Sequence, residues 1–168
     1  NESVKATLPK LPLSFIENQG QLSKDVKFVV KTSAQTVFFA PEEVVFALSS
    51  GNNSSVVHMA FEDSRPKEIT GENLLPGKAN FFIGNDSSKW VNEIPTYGAI
   101  RYVDIYPGID LVFKGTEAQL KHEFIVSPGA NPAQIVLNYS GQDNLSLSED
   151  GFVLLRTVGG NLTDSIPV

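Results

Sequence analysis

Cysteine is absent from this 168-residue chain, which excludes disulfides, thiolate nucleophiles and structural Cys-zinc sites in one step. The absence fits a protein exported to an oxidising space whose core is large enough to need no staples. Histidine occurs twice, at His58 and His122, and tryptophan once, at Trp90. No apolar run approaches the roughly 20 residues that a membrane helix needs. The first ten residues, NESVKATLPK, lack the apolar core of a signal peptide, so any such signal precedes them or has been removed. Basic residues number 13 against 19 acidic ones and never cluster, and the pI is near 4.9. That balance lacks the footprint of a phosphate-binding surface and argues against nucleic acid as a partner. Neither the dinucleotide-binding glycine fingerprint nor the P-loop pattern occurs, so no nucleotide site is indicated.

What is present is β structure. Hydrophobic residues make up 41% of the chain and mean hydropathy is near zero, as expected of a folded domain. From Trp90 to Gly129, three runs rich in Ile, Val, Tyr and Phe are cut by turn signals such as Pro107-Gly108, which predicts a β-meander. Upstream, short strands are expected at Leu13–Glu17, Val26–Lys31, Thr36–Ala40, Val44–Leu48, Val56–Phe61 and, more weakly, Glu68–Asn73. Ser49–Ser55 reads as a polar, mobile loop, Leu74–Gly77 as a turn and Ser87–Val91 as one helical turn. Downstream, strands are expected at Gln134–Tyr139, Leu145–Leu147, Phe152–Thr157 and Asn161–Ser165. Glu149-Asp150-Gly151 and Gly159-Gly160-Asn161 read as the tight turns between the last of these. No segment holds a 3.6-residue apolar repeat for more than two turns, and no internal repeat is found. The pattern predicts an all-β fold, an antiparallel sandwich or barrel-like meander with at most one short helix. Residues 1–12 read as a loose lead-in and 13–168 as one domain, divisible into packed halves 13–75 and 76–168. The stop at Ile166-Pro167-Val168 reads as a cut inside a longer chain.

Candidate chemistry is sparse. His58 and His122 lie in strands, where a solvated or hydrogen-bonded ring is the expectation. Asp104, Asp110, Glu117 and Glu123 fall within twenty residues, but Asp110 follows a Pro-Gly turn and Glu123 is placed to face a lysine across a strand pair. Calcium is the one cofactor with oxygen ligands to hand, at Asn85-Asp86, Asp143-Asn144 and Glu149-Asp150-Gly151. None of these matches the EF-hand spacing, so turn capping is expected instead. Trp90, Tyr97, Tyr102 and Tyr106, with Tyr139, are candidates for a sugar-stacking platform, although strand aromatics more often fill the core. Seven of twelve asparagines, Asn1, Asn52, Asn53, Asn85, Asn138, Asn144 and Asn161, head Asn-x-Ser/Thr triplets, where random placement would give about two. The excess points to an exported surface with candidate glycan acceptors.

Three blocks now stand together: FIENQGQLSKDVKFVV (15–30), LPGKANFFIGNDSSKW (75–90) and PTYGAIRYVDIYPGIDLVFKG (95–115). With QLKHEFIVSPGANPAQIVLNYSG (119–141) and the closing DGFVLLRTVGGNLTDSIPV, they resemble a domain of unknown function at the start of many large secreted bacterial and archaeal proteins. There it precedes β-propeller repeats of the SBBP type or PKD-like modules. The resemblance covers roughly 13–168 and implies a secreted or cell-surface location and a non-catalytic accessory role. The positions it marks are Glu17, Asn18 and Gly20, then Asn80, Gly84, Asn85 and Trp90, then Tyr106, Pro107, Gly108 and Asp110. Their residue types suit turns, caps and packing, and Glu17 with Asn18 is expected to pin the first strand. The expected role is a structural and interaction module that seats downstream domains of its own polypeptide. The alternatives are a carbohydrate-binding module and an ancillary domain of a secreted hydrolase. Expected partners are those downstream domains, surface glycans or other surface proteins, with no membrane insertion by this segment.

Overall fold

The computed structural model describes residues 12–82, 84–116 and 119–165. Most of the expected lead-in, Asn1, Glu117 and the Ile166-Pro167-Val168 stop lie outside them. The described chain is all-β, as the turn spacing predicts. It opens with β1 (Phe15–Glu17), β2 (Phe28–Lys31), β3 (Gln35–Phe39), β4 (Glu43–Ser50) and β5 (Asn53–Phe61). A long hairpin follows, β6 (Glu68–Phe81) and β7 (Val91–Tyr106), continued by β8 (Ile109–Thr116) and β9 (Gln119–Val126). β10 (Leu137–Ser140) returns to pair with β5, and β11 (Asn144–Leu147), β12 (Phe152–Thr157) and β13 (Gly160–Ser165) make a small sheet of their own. Among the described residues helix is confined to two 3-10 turns, Ser87–Lys89 and Pro132–Gln134.

The large sheet runs β10-β5-β4-β3-β2-β1-β7-β8-β9 with antiparallel pairing, and β6 adds to β7. It curls into a half-barrel. The curl follows from burying one face of strands that alternate in polarity. In β4, Val44, Phe46 and Leu48 point inward while Glu43, Val45 and Ala47 stay half-buried. Opposite walls meet through a chain of rings: Phe15 on Phe39 at 5.5 Å between centroids, Phe39 on Phe113 at 5.1 Å, Phe113 on Tyr102 at 5.9 Å and Tyr102 on Phe61 at 5.6 Å. β1, β3, β8, β7 and β5 are thus tied by tilted and edge-on contacts that rings favour over face-to-face stacking. The small sheet sends Leu155 into the same core, fully buried.

Three local expectations are corrected. Ser49–Ser55 is not a loop: Ser50 pairs with Asn53 across a two-residue Gly51-Asn52 turn, and both strands run through the polar stretch. Gly51 has φ +59°, the left-handed position that such hairpin turns reserve for glycine. Leu74–Gly77 is not a turn but a bulge inside β6, where the register against β7 shifts between Leu74 and Lys78. The buried Thr96 hydroxyl donates to the Gly77 carbonyl at 2.7 Å and pins it. β7, finally, runs 16 residues, far longer than the short runs the turn spacing predicts.

Candidate functional site

The loop after β1 is organised by one side chain. Asn18 Oδ1 accepts from Gly20 and Leu22 backbone N–H groups at 3.0 and 3.1 Å, and its Nδ2 donates to the Ser23 and Val26 carbonyls at 2.8 and 2.7 Å. Glu17 joins through its backbone: its carbonyl accepts from Gln21 Nε2 at 2.6 Å. Gln21 is the buried polar residue here, and Glu17 and Asn18 are half-buried. Asn18→Ala is expected to destabilise the fold by about 1–3 kcal/mol, since it strands four backbone groups at once, two of them part-buried. Urea unfolding checks this, and a change under about 0.5 kcal/mol would refute the loop's dependence on Asn18.

On the outer face of β6–β8, Arg101 donates to Glu72 at 2.5 Å and to Asp110 at 3.0 Å. Asp110 also accepts the Asp104 backbone N–H at 2.8 Å, where β7 bulges and Asp104 takes φ +47°. Lys67 donates to Asp104. That hydrogen bond holds the Lys67 ammonium above its usual range and the Asp104 carboxyl below its own. Glu72 does the same for Arg101 in the upward direction. Each described carboxylate of the sequence cluster is therefore occupied: Asp104 and Asp110 here, and Glu123 by Lys114 at 2.9 Å across the β8–β9 pair, as expected. Pro107 and Gly108 make the β7–β8 turn beside this bulge, Gly108 with φ +73°.

The aromatic candidates separate. Tyr102 is fully buried and donates to the Ala40 carbonyl at 3.0 Å, and Tyr106 is buried beside it in the core. Tyr97 is half-buried, edge-on to Phe28, and lies over Gly71, where a Cβ would come within 2.4 Å of its ring. Trp90 alone is exposed. It packs edge-on against Phe82 at 5.2 Å, and its indole N–H donates to the Gly84 carbonyl at 3.2 Å. Nearby, Asn80 Oδ1 accepts the Glu93 N–H at 2.9 Å, Gly84 has φ +70°, and Asn85 is exposed. Of the five aromatics considered for a platform, Trp90 alone stands at the surface, Tyr102 and Tyr106 are buried, and Tyr97 and Tyr139 are half-buried.

Two places on the small sheet were not singled out by the sequence. At the first, Asp164 of β13 stands in the gap between the free edges of the large sheet: it accepts from Tyr139 of β10 and approaches His122 Nδ1 of β9 at 3.6 Å. His122 lies between the Phe113 and Phe124 rings. His58, the other histidine, contacts Glu43 across β4–β5 at 2.9 Å. No spacing signal links residues 122, 139 and 164. The second place is β11, where Leu145 and Leu147 are 48% and 65% exposed.

Of the acidic loop residues considered for calcium, Asp86 accepts from Ser88 at the first 3-10 turn, and Asp143 accepts the Val158 N–H at 3.0 Å. The six described sequon asparagines are all exposed. Asn138 Nδ2 donates to Glu62 at 2.8 Å.

Burial pushes the Tyr102, Tyr106 and Tyr139 hydroxyls up, and Asp164 pushes Tyr139 further. In the unfolded chain each titrates near about 10, so above that pH the unfolded state binds fewer protons and stability falls as pH rises. The melting temperature is expected to hold up to about pH 10 and then drop, with Tyr139→Phe flattening the fall. A melting temperature unchanged at about pH 11 would contradict it.

No curated protein and no solved structure shows a significant match to the chain. The profile of one family, described as Domain of unknown function (DUF7948), matches residues 15–168. Spanning every strand from β1 to β13, that match means that the chain belongs to the DUF7948 family.

Proposed function

We propose that this domain is a structural and interaction module of a secreted or cell-surface protein, and that its small sheet seats an adjoining domain of the same polypeptide. The observation that carries the reading is the exposed pair Leu145 and Leu147 on an edge strand of that sheet. Two neighbouring leucines held in water by ordered backbone are a surface that gains free energy when covered, at about 25 cal/mol per Å² of apolar area. β13 belongs to the same sheet, so whatever follows residue 168 is tethered beside this face at high effective concentration. A secreted location draws support from the exposed sequon asparagines, candidate glycan acceptors, and SBBP-type propeller repeats are the neighbours we propose. Hydrogen exchange at 144–148, compared between this chain and the natural full-length polypeptide, tests the seating. Slower exchange in the longer protein is expected, and equal rates would overturn it.

A second reading, carbohydrate binding, is favoured by the Trp90–Phe82 pair, an exposed apolar surface of the kind on which sugar rings stack. Binding on a glycan array that disappears with Trp90→Ala would make this reading the better one. No binding by the folded chain removes it.

A further inference from the structure

We propose that β11 is a docking edge for strand addition, occupied by an extended segment of the adjoining domain with alternating apolar side chains and basic residues at both ends. This rests on the reading that the small sheet seats a neighbour, and adds how it does so and with what chemistry.

The edge is open in backbone as well as side chain. Among the described residues β11 pairs with β12 alone. Ser148 N donates to the Phe152 carbonyl at 2.8 Å, which makes 148 and 152 a hydrogen-bonded pair. Antiparallel alternation then makes Ser146–Leu154 and Asn144–Arg156 the next such pairs. The N–H and C=O groups of Leu145 and Leu147 are left pointing away from β12. These are the same two residues whose side chains are exposed.

Edge strands are ordinarily guarded by charge, proline or a bulge. β9 carries Lys121 and Glu123, and β6 carries Glu72, Lys78, Pro76 and its bulge. β11, Asn-Leu-Ser-Leu, has none of these.

Charge selects the occupant. Asp143 precedes β11, and Glu149 and Asp150 follow it. Antiparallel pairing of two copies centred on Ser146 would set Asp143 of each opposite Glu149 of the other, a like-charge contact that disfavours a second copy. A segment with lysine or arginine at both ends meets an opposite charge at each end instead. Its main chain supplies affinity along the edge, and its alternate apolar side chains cover Leu145 and Leu147.

The probe is a short labelled peptide of alternating valine and threonine with paired lysines at each end, titrated into this chain by fluorescence anisotropy. Binding is expected, with the glutamate-ended version at least about tenfold weaker and amide exchange slowed at Leu145 and Leu147. Leu147→Pro, which removes one outward N–H that the small sheet does not use, is expected to abolish binding. Leu147→Lys keeps the backbone and is expected to weaken binding at an unchanged melting temperature, which guards against a folding artefact. Equal affinity for the two peptides, or binding that survives Leu147→Pro, overturns the proposal. If 144–148 is shielded in the full-length protein but stays shielded with Leu147→Pro, strand addition falls and the seating reading stands. No shielding at all overturns both.

Discussion

Gly159→Ala is expected to destabilise the fold by about 3 kcal/mol, the upper end of the overpacking range, and to release the small sheet from the large one. Gly159 lies in the β12–β13 turn, which presses on the β4–β5 hairpin. A Cβ there would meet Ser55 N at 2.6 Å, the Leu48 carbonyl oxygen at 2.9 Å and the Ser54 carbonyl carbon at 3.0 Å. All three are backbone atoms of paired strands, so no rotamer change relieves the contact. The turn must lift, breaking the Gly159 N–H bond to Ser55 Oγ, now 3.0 Å, and drawing Leu155 from the core. Ser55→Ala is the control: it removes that bond without the collision and is expected to cost about 1 kcal/mol. Urea unfolding gives the magnitude, and hydrogen exchange shows where it falls, with 144–165 losing protection and β1–β4 keeping it. A Gly159→Ala variant as stable as the parent would mean that the turn does not bear on the hairpin.

Phe113→Ala is the second large effect, about 3–5 kcal/mol. Phe113 is nearly fully buried and touches Phe39, Tyr102 and His122, so its ring joins the far wall of the half-barrel to β7 and to the β9 edge. Truncation leaves a cavity that those strands cannot close without breaking their ladders. His122 loses one of the two rings that hold it, so the contact with Asp164 loosens as well. Phe113→Leu keeps most of the volume and is expected to lose under about 1.5 kcal/mol. Similar losses for the two variants in urea unfolding would argue against a cavity term.

Strand identity was legible in the chain wherever apolar residues alternate, as in Val44–Leu48 and Val56–Phe61, because one buried face imposes period two. The Pro107-Gly108 turn and the 3-10 turn at 87–89 were legible from turn chemistry. The bulge at 75–77 was not. Pro76 and Gly77 look the same whether the chain reverses or is merely offset, and what decides is Thr96, nineteen residues away. Ser49–Ser55 misled for a related reason: polarity shows that a segment meets water, not that it is unpaired. Among the site residues, Asn18 was readable as a turn former because its bonds are local. Tyr102 and Tyr106 went to the core because strand parity outweighs aromatic character. The Tyr139–Asp164–His122 group had no signal at all, since it exists only after the curl brings β9 and β10 near each other.

That curl also sets the order of assembly. β10 must find β5 across nearly half of the chain, with Asn138 and Glu62 76 positions apart, and β1 must find β7 in the same way, Phe15 opposite Tyr97, whereas β2, β3, β4 and β5 follow one another over short turns. Distant closures come late because their loop entropy is lost before any contact repays it. The small sheet comes later still, since Leu155 has no finished core to enter until β5, β7 and β8 have met. A chain emerging amino end first therefore holds an open, ring-lined trough until β10 to β13 arrive. Over that interval the rings of the trough face water, and a variant that speeds the final closure is expected to aggregate less on refolding than one that only strengthens a contact in the finished fold.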